Sequence, residues 1–512
     1  MLTPIVGYLV LIVFGVGFTV ITAVLHRMAM KRHGNEMTAE RFNTAGRSVG
    51  VGLASASIVA AWTWAATIMM SSSTGYQYGI SGPYWYAAGA TIQILLFAII
   101  AIHLKQKAPQ AHTFLEFIAQ RFDKKNHRLM LGFALMTNII VTSMIILGGA
   151  ITLNQLTGMN LYLAAFLIPL SFTIYTMIGG LKASFIADYL HTVILFIVLA
   201  VLGVAIYTKF GITPIYEGLR HLPESKQMLT MASIPGLMFG VINIVGNFGT
   251  VFVDQAYWQR AIASTDRAAS KAFIYGGLAW FSIPFAVATI LGVSAAGLGI
   301  AVPTPDSVAP IMASHALGTV GSVLFLIMLF MAVTSAGSAE LTAVTNILVT
   351  DVYRHSINPD ADSKTLLRVS RWITLGFGIA MSIFSILLFY LGISLGFVYM
   401  AMGIFVSSAV IPVALGLMWK RTTNEGAFYG TLLGMIGGIV IWLFSAYQLT
   451  GLINVDSLGQ LYPMLFGNLA VFIVSGIITI GHSLTSSTEF QFESLKGKFK
   501  SFDEVAEREE TA

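Results

Sequence analysis

The stretch Gly318–Asn346, GTVGSVLFLIMLFMAVTSAGSAELTAVTN, is long enough to cross a lipid bilayer, yet it carries a carboxylate in its second half. At about 1.5 Å of rise per residue, a helix of this length spans the roughly 30 Å of hydrocarbon in a membrane. Its second half consists largely of small residues and hydroxyls, which allow helices to pack closely. An ionised Glu340 at this depth is costly unless it meets water, an ion or a partner. We therefore expect a functional site at Glu340, with close helix packing as the alternative role of the small residues around it.

The composition is that of a membrane protein built from helices. Of 512 residues, 56% are hydrophobic and 10% are charged, whereas about a quarter of the residues in soluble domains are charged. The chain has no cysteine, which excludes disulfides, thiolate metal sites and a cysteine nucleophile. The N-terminal segment lacks a basic region and a small-residue cleavage site, so we expect a retained first span. The prediction is an all-α integral membrane protein whose basic residues lie in loops and bind no nucleic acid.

Thirteen transmembrane helices are predicted from the apolar runs, and the basic residues sort cleanly around them. Of the 28 Lys and Arg residues, all but Lys209, Arg220 and Lys226 fall on one side of these spans. Because basic residues favour cytoplasmic loops, the N-terminus is expected outside and the C-terminus inside the cell. The predicted spans are 5–26, 49–74, 83–104, 129–153, 159–178, 184–207, 233–253, 272–297, 318–346, 370–393, 396–418, 426–447 and 461–482.

Two of these spans are predicted to break within the membrane. The second is rich in Ala and Ser, and the seventh carries Asn243, Gly246, Asn247 and Gly249 close together. Transporters often bind solute where helices are interrupted at corresponding positions of two inverted repeats. The two spans lie five apart, so residues of about 49–207 and 233–418 are expected to form two inverted five-helix repeats, with three peripheral helices. The alternative is that both spans are packing helices rich in small residues.

A single transmembrane domain, residues 1–482, is expected, because no loop exceeds about 35 residues. The charged residues 483–512 are expected to form a cytoplasmic tail that is either a short surface helix or disordered. Residues 111–122, AHTFLEFIAQRF, are predicted to form a short amphipathic helix on the cytoplasmic surface.

Several stretches resemble one family of transporters. Residues 175–183 (YTMIGGLKA) with Asp188, and residues 332–335 (AVTS) followed by 351–353 (DVY), are similar to signature regions of the sodium:solute symporter family. The resemblance implies a LeuT-like core that works by alternating access. Further segments resemble the urea active transporter branch of that family: SIVAAWTWAAT (57–67), SGPYWYAAGATIQILLF (81–97), KAPQAHTFLE (107–116), NIVGNFGTVFVD (243–254) and FMAVTSAGSAELTAV (330–344).

The resemblance also implies an ion site between the second and ninth spans. Its sodium ligands would be the backbone carbonyls of Ala56, Val59 and Ala332 and the hydroxyl of Ser335. Hard oxygens without a full carboxylate suit an alkali ion that must also be released. Sodium-coupled members have a second hydroxyl where this chain has Ala336, so one oxygen is lost.

The urea branch includes proton-coupled members, and Asp188 and Glu340 are the titratable groups available to carry a proton. Asp188 is expected to form an exit relay with His191, or else to be a carboxylate satisfied by His191 or Lys182. Asp254, beside Gln255 and Trp258, is interpreted as a solvated helix end.

Urea is planar, neutral and amide-like, so its site should offer carbonyl and amide partners between aromatic walls. We expect Trp62, Gln93, Asn243 and Asn247 to bind it. Trp64, Asn138 and Tyr399 are further candidates. Each aromatic residue also has an alternative role in helix packing or as an anchor at the membrane interface.

The predicted function is ion-coupled symport, with Na⁺ or H⁺, of a small polar solute across the cell membrane, urea being favoured. No cofactor and no obligatory protein partner are expected. The alternatives are a symporter for a polyamine, a short carboxylate or an amino acid, a passive urea-selective pore, and a membrane sensor. An enzyme is disfavoured, because the chain has no HExxH motif, no serine nucleophile elbow and no clustered histidines.

Overall fold

The computed structural model describes residues 2–33 and 38–502, and in these residues the chain is helical apart from connecting segments and one isolated bridge between Val49 and Ser264. Eleven helical segments are long and apolar enough to cross a membrane, and one bent pair of helices raises the number to twelve. The expected all-α membrane architecture is therefore confirmed.

The described residues form long helices that can cross a bilayer and short helices that connect them. Together with the short helices between them, they follow in chain order as α1 (Pro4–His33), α2 (Ala39–Thr44), α3 (Val51–Trp62), α4 (Ala65–Tyr78), α5 (Ser81–Lys107), α6 (Phe114–Arg121), α7 (Lys124–Thr157), α8 (Leu161–Phe210), α9 (Ile212–Arg220), α10 (Ser225–Met228), α11 (Ile234–Val253), α12 (Gln255–Ala263), α13 (Asp266–Val287), α14 (Ser294–Gly297), α15 (Val308–Ile347), α16 (Ser363–Tyr390), α17 (Leu395–Val406), α18 (Val410–Met418), α19 (Asn424–Thr450), α20 (Val455–Leu458) and α21 (Leu461–Thr485). Wider helical turns follow α13 and α15, at Ala288–Val293 and Leu348–Ile357.

The second predicted span is broken, as expected. It consists of α3 and α4, which meet at an angle of 61° around Thr63 and Trp64. The hydroxyl of Thr67 accepts a hydrogen bond from the backbone N–H of Trp64 at 3.0 Å, which stabilises the new helix start. The break opens the backbone within the bundle, where polar groups can face a solute.

The predicted break in the seventh span is wrong. Helix α11 runs unbroken through Asn243 and Asn247, and the chain bends only at Asp254, between α11 and α12. The glycines of this stretch allow close packing instead, since a Cβ atom on Gly249 would lie 2.5 Å from the hydroxyl of Ser407. Small residues here make room for the neighbouring helix, which was the alternative interpretation.

Helix α8 contains a sharp break at Gly180. This residue has a φ of 57°, a left-handed conformation that glycine adopts without strain, and a Cβ atom there would lie 2.7 Å from the ring of Phe42. The two parts of α8 on either side of Gly180 correspond to the predicted spans 159–178 and 184–207.

One face of the bundle, which we call the tail face, is formed by α2, α6, α12 and residues 486–502. Helix α6 lies inside the predicted segment 111–122, but Phe114, Phe117 and Ile118 are buried against the protein. The expected short helix is therefore present, with its apolar face packed on the protein. The described part of the tail contains one short helical turn, Phe492–Leu495, and packs on this face with Leu495 and Phe502 buried. The rest of the predicted tail, 503–512, lies outside the described residues.

Phe502 closes a cluster that we call the tail clamp, formed by Glu40, His112, Glu116 and Phe502. The ring of Phe502 stacks on His112 with 3.8 Å between centroids, and its backbone N–H donates to Glu40 at 3.1 Å. The two ring nitrogens of His112 lie 2.6 Å from Glu40 and 3.3 Å from Glu116. Because ionised carboxylates only accept hydrogen bonds, both ring nitrogens must act as donors. Histidine has a hydrogen on both nitrogens only in its protonated form.

The charges of the tail clamp stabilise one another. Burial by itself would lower the pKa of His112, but the carboxylates of Glu116 and Glu40 outweigh it and hold that pKa above its usual value. Burial by itself would raise the pKa of Glu40, but the charges of His112 and Arg47 hold it well below its ordinary range. Both the ionic cluster and the ring stack thus stabilise the packing of the tail on the bundle.

Candidate functional site

A polar network lies in the middle of α11, where the side chains of Asn243 and Asn247 share one face. The hydroxyl of Tyr399, on α17, donates to Asn243 Oδ1 at 2.6 Å, and the amide of Asn247 donates to the same oxygen at 2.7 Å. Asn243, Asn247 and Tyr399 are all at most 2% exposed. The structure therefore brings together three of the residues that the sequence suggested for solute binding.

Three of the four predicted solute-binding residues meet at one stretch of α5, which carries Gln93, and the fourth, Asn247, is joined to them through Asn243. The indole of Trp62 donates to the carbonyl of Ala90 at 2.7 Å, and the amide of Gln93 donates to Gly89 at 2.6 Å and to Ile244 at 2.8 Å. Asn243 donates to the carbonyls of Trp85 and Tyr86. The side-chain carbonyl of Gln93 is buried and has no hydrogen-bond partner among the described residues. It is a free acceptor inside this cluster.

An aromatic stack lies between this cluster and a large cavity. The rings of Tyr86 and Tyr399 stack with 5.6 Å between centroids, and Phe239 stacks on both of them. Phe239 also lines a cavity of about 690 Å³ on the face opposite the tail. The cavity is further lined by Met70, Gln77, Gln155, Asp306 and Gln460. Access to the cluster from this face is thus closed by one layer of rings.

A buried ion pair joins α8 to α12. Asp188 accepts from the guanidinium of Arg260 at 3.3 Å, and both side chains are fully buried. The hydroxyl of Ser57, on α3, donates to Asp188 at 2.6 Å, and the hydroxyl of Ser335, on α15, donates to its other oxygen. The guanidinium also donates to the carbonyls of Ala256 and Ser57. Asp188 is therefore satisfied by Arg260, and the expected partners His191 and Lys182 do not pair with it.

Of the residues expected to bind sodium, Ser335 contacts this ion pair directly, and two of the carbonyls already accept hydrogen bonds. The carbonyl of Ala56 accepts from Thr192 at 3.0 Å, and that of Val59 accepts from Thr63 at 2.7 Å. Arg260 already neutralises the one carboxylate that they face. A sodium ion at these oxygens would be held by neutral ligands alone, in the neighbourhood of the positive charge of Arg260. Ala332 and Ala336 are buried nearby on α15, and Ala336 has no side-chain oxygen to add.

A second group of buried polar residues lies between α7, the start of α12 and α15. The amide of Asn138 donates to Glu340 at 2.6 Å and to Asp254 at 3.0 Å. Asp254 is fully buried, so its interpretation as a solvated helix end is wrong. The structure also assigns Asn138 to this group and not to the amide network on α11.

Two residues of the candidate site escaped prediction from sequence. Arg260 lies between two predicted spans, where the positive-inside rule leads one to expect a cation of a cytoplasmic loop. Asp254 lies at the end of a predicted span, where the sequence predicts a solvated helix end. The signal that could have found both is the polar spacing in 254–260, DQAYWQR, where Asp254, Gln255, Gln259 and Arg260 recur on a short helix.

Comparisons with known proteins agree with this architecture. The model of the sodium:solute symporter family matches residues 42–434. The chain is 44% identical to the urea-proton symporter DUR3 of Oryza sativa subsp. japonica, covering 98% of this chain and 74% of that protein. It is 39% identical to the urea active transporter of Saccharomyces cerevisiae, covering 98% of this chain and 72% of that protein.

The fold is also similar to that of a solved transporter. A sodium-coupled sialic acid symporter in a substrate-bound, outward-open state superposes with a TM-score of 0.71 at 16% identity, covering 95% of this chain and 99% of that one. At this identity the likeness concerns the fold alone. The family match covers more than half of the chain, and the curated relatives match nearly all of it. The chain is a multi-pass membrane transporter and belongs to the sodium:solute symporter family.

Proposed function

We propose that this chain carries urea into the cell by symport with protons. It is a transporter and not an enzyme, and its relatives at 38–44% identity are named as urea transporters, one of them as a urea-proton symporter. The single observation that carries the choice of ion is the buried pair of Asp188 and Arg260. A guanidinium supplies the positive charge at the expected ion site. We therefore place the binding site of the coupling cation elsewhere.

The proposed topology has thirteen spans in residues 1–482, followed by a cytoplasmic tail at 483–512. The break at Gly180 supports counting α8 as two spans. With residues 49–207 and 233–418 as the two inverted repeats, the tail face is cytoplasmic and the N-terminus lies outside. The chain would then act in the cell membrane, and the cavity of about 690 Å³ would open to the outside.

Urea is proposed to bind among Trp62, Gln93, Asn243 and Asn247. The free carbonyl of Gln93 is an acceptor for a urea N–H, and leaving such a buried group unpaired costs about 1–3 kcal/mol. The carbonyl of urea can accept from the Asn amides once these release their present partners. The flat rings of Trp62 and Tyr399 provide the apolar walls that a planar solute needs.

The proposed transport cycle starts from a conformation closed at the tail face. Solute enters the outer cavity and passes the rings of Phe239, Tyr86 and Tyr399. Binding of solute and proton then favours the same rearrangement of the repeats, so each must raise the affinity for the other. Both leave on the tail face after the helices that close it have moved.

The experiment is uptake of labelled urea by proteoliposomes that contain the purified protein. An inward proton gradient and an inward sodium gradient are imposed separately, with potassium as the ionic-strength control. Accumulation above the external concentration under the proton gradient alone is expected. Accumulation under sodium alone would contradict the choice of ion, and uptake that never exceeds the external concentration would favour a passive pore.

A further inference from the structure

We infer that Asp254 and Glu340 together form the binding site of the coupling proton, bridged by Asn138. The inference rests on the proposed function, and it adds a location that excludes Asp188. The two carboxyl groups come from different helices, and each is at most 1% exposed. The same amide nitrogen of Asn138 donates to both of them, so the two carboxyl groups lie next to each other.

The buried charges of this pair favour a bound proton. The amide nitrogen of Asn138 has two hydrogens and donates one to each carboxyl group. Ionised carboxylates are acceptors only, so the two groups can hydrogen-bond to each other only when one of them is protonated. Two adjacent charged carboxylates without a cation would also repel strongly in a buried site. The pair is therefore stable with one bound proton and strained without it.

The geometry indicates which carboxyl group holds the proton. Asp254 caps the start of α12 and accepts the backbone N–H of Ala256 at 2.8 Å, and a helix N-terminus favours negative charge. Glu340 has no such backbone donor among the described residues. The second oxygen of Asp254 has no other donor there and is free to accept the hydroxyl of a protonated Glu340. The proton accordingly resides on Glu340, with Asp254 as the charged partner.

The surroundings of the pair are apolar on one side and carry the charge of Arg260 on the other. Four alanines, Ala61, Ala256, Ala339 and Ala343, pack together in this region. The titratable groups that face the pair from α12 are Tyr257 and Arg260. The hydrogen bonds of Arg260 go to Asp188, Ser57 and Ala256, so it neutralises a different carboxylate.

The position of Asp254 links the proton to the solute. Asp254 is the hinge residue between α11, which carries Asn243 and Asn247, and α12, whose Tyr257 packs edge-on against Trp62 with 5.0 Å between centroids. Loss of the proton places two negative charges at this hinge, and their repulsion displaces α11 or α12. Either displacement alters the solute site, which is the differential effect that coupling requires.

The test compares Glu340→Gln and Asp254→Asn with the wild type and with Glu425→Gln, the same change at an exposed acid on α19. Each protein is reconstituted, and two rates are measured: exchange of labelled urea at equal pH on both sides, and accumulation under an inward proton gradient. We expect Glu340→Gln to keep exchange but to accumulate urea only to the external concentration. Its exchange should also stay constant at alkaline pH, where that of the wild type falls, because glutamine imitates the protonated acid.

A spectroscopic measurement locates the proton without transport. Infrared difference spectra on raising the pH should show loss of a protonated carboxylic acid in the wild type and in Glu425→Gln, and no such change in Glu340→Gln. Wild-type accumulation by both pair variants would overturn the inference, and so would loss of exchange in both, since the pair would then serve solute translocation itself. If the wild type exchanges no urea, the proposed solute fails instead, and if it accumulates urea only under sodium, the proposed ion fails.

Discussion

Replacing Arg260 by alanine should convert this protein into one that responds to sodium. The guanidinium and Asp188 are both fully buried, 3.3 Å apart. Removal of one partner of a buried ion pair costs about 3–5 kcal/mol, because the other charge is left uncompensated. Asp188, flanked by the hydroxyls of Ser57 and Ser335, would then form an anionic oxygen site of the kind that holds a hard cation.

Sodium should recover part of the lost stability by mass action. A ligand present at 100 times its Kd stabilises the folded state by about 2.7 kcal/mol. The assay is thermal unfolding of the purified protein in detergent, followed by tryptophan fluorescence in sodium chloride and in potassium chloride at equal ionic strength. We expect Arg260→Ala to unfold at a lower temperature than the wild type in potassium and to recover in sodium.

The control is the double variant Arg260→Ala with Asp188→Asn. It lacks both charges, so it should be more stable than Arg260→Ala and should not distinguish sodium from potassium. Equal melting temperatures of Arg260→Ala in the two salts would refute the reasoning about the site. A wild type that is itself stabilised by sodium would refute the view that Arg260 takes the place of the ion.

Three further predictions follow from other contacts. Gln93→Leu removes the free carbonyl acceptor, so the KM of urea exchange should rise about 5- to 150-fold, for a loss of about 1–3 kcal/mol. Gly89→Ala would place a Cβ atom 2.7 Å from the amide nitrogen of Asn243, so urea exchange should slow and the melting temperature should fall by the equivalent of about 1–3 kcal/mol. Phe502→Ala should release the tail, measured as faster proteolysis after residue 485. In the wild type the contribution of His112 is complete below its unfolded pKa of about 6.5 and is lost as the pH rises through its raised folded pKa, so proteolysis of the tail should quicken at alkaline pH.

Membrane spans were predictable because their signal is local. An apolar run of sufficient length marks a span wherever it occurs, and the break at Thr63 followed from the Ala- and Ser-rich stretch around it. Interruption of α11 was predicted from the same kind of signal and is wrong, because glycine serves equally for a break and for close packing. At Gly249 only the neighbouring Ser407 decides between the two.

Solute-site candidates were partly predictable, since buried amides and deep tryptophans are unusual in spans. The partners of buried charges were not, because they depend on contacts between helices far apart in sequence. Asp188 and Arg260 are 72 residues apart, and the rules that assign cations to loops removed Arg260 from consideration. Asp254 and Glu340 likewise meet only through α7, whose Asn138 joins them.

A guanidinium fixed to the chain also determines how the transporter can be powered. An exchangeable ion has a different chemical potential on each side of the membrane, so its movement can release free energy. Arg260 never leaves the protein and therefore supplies no such free energy. In the proposed proton symport, all the work of accumulation comes from the proton. A membrane potential of 100 mV and a gradient of one pH unit together supply about 3.7 kcal/mol per proton, so one proton per solute limits accumulation to about 500-fold. In that proposal, the ion pair at the expected ion site makes the proton-motive force the energy source and frees uptake from the sodium content of the medium.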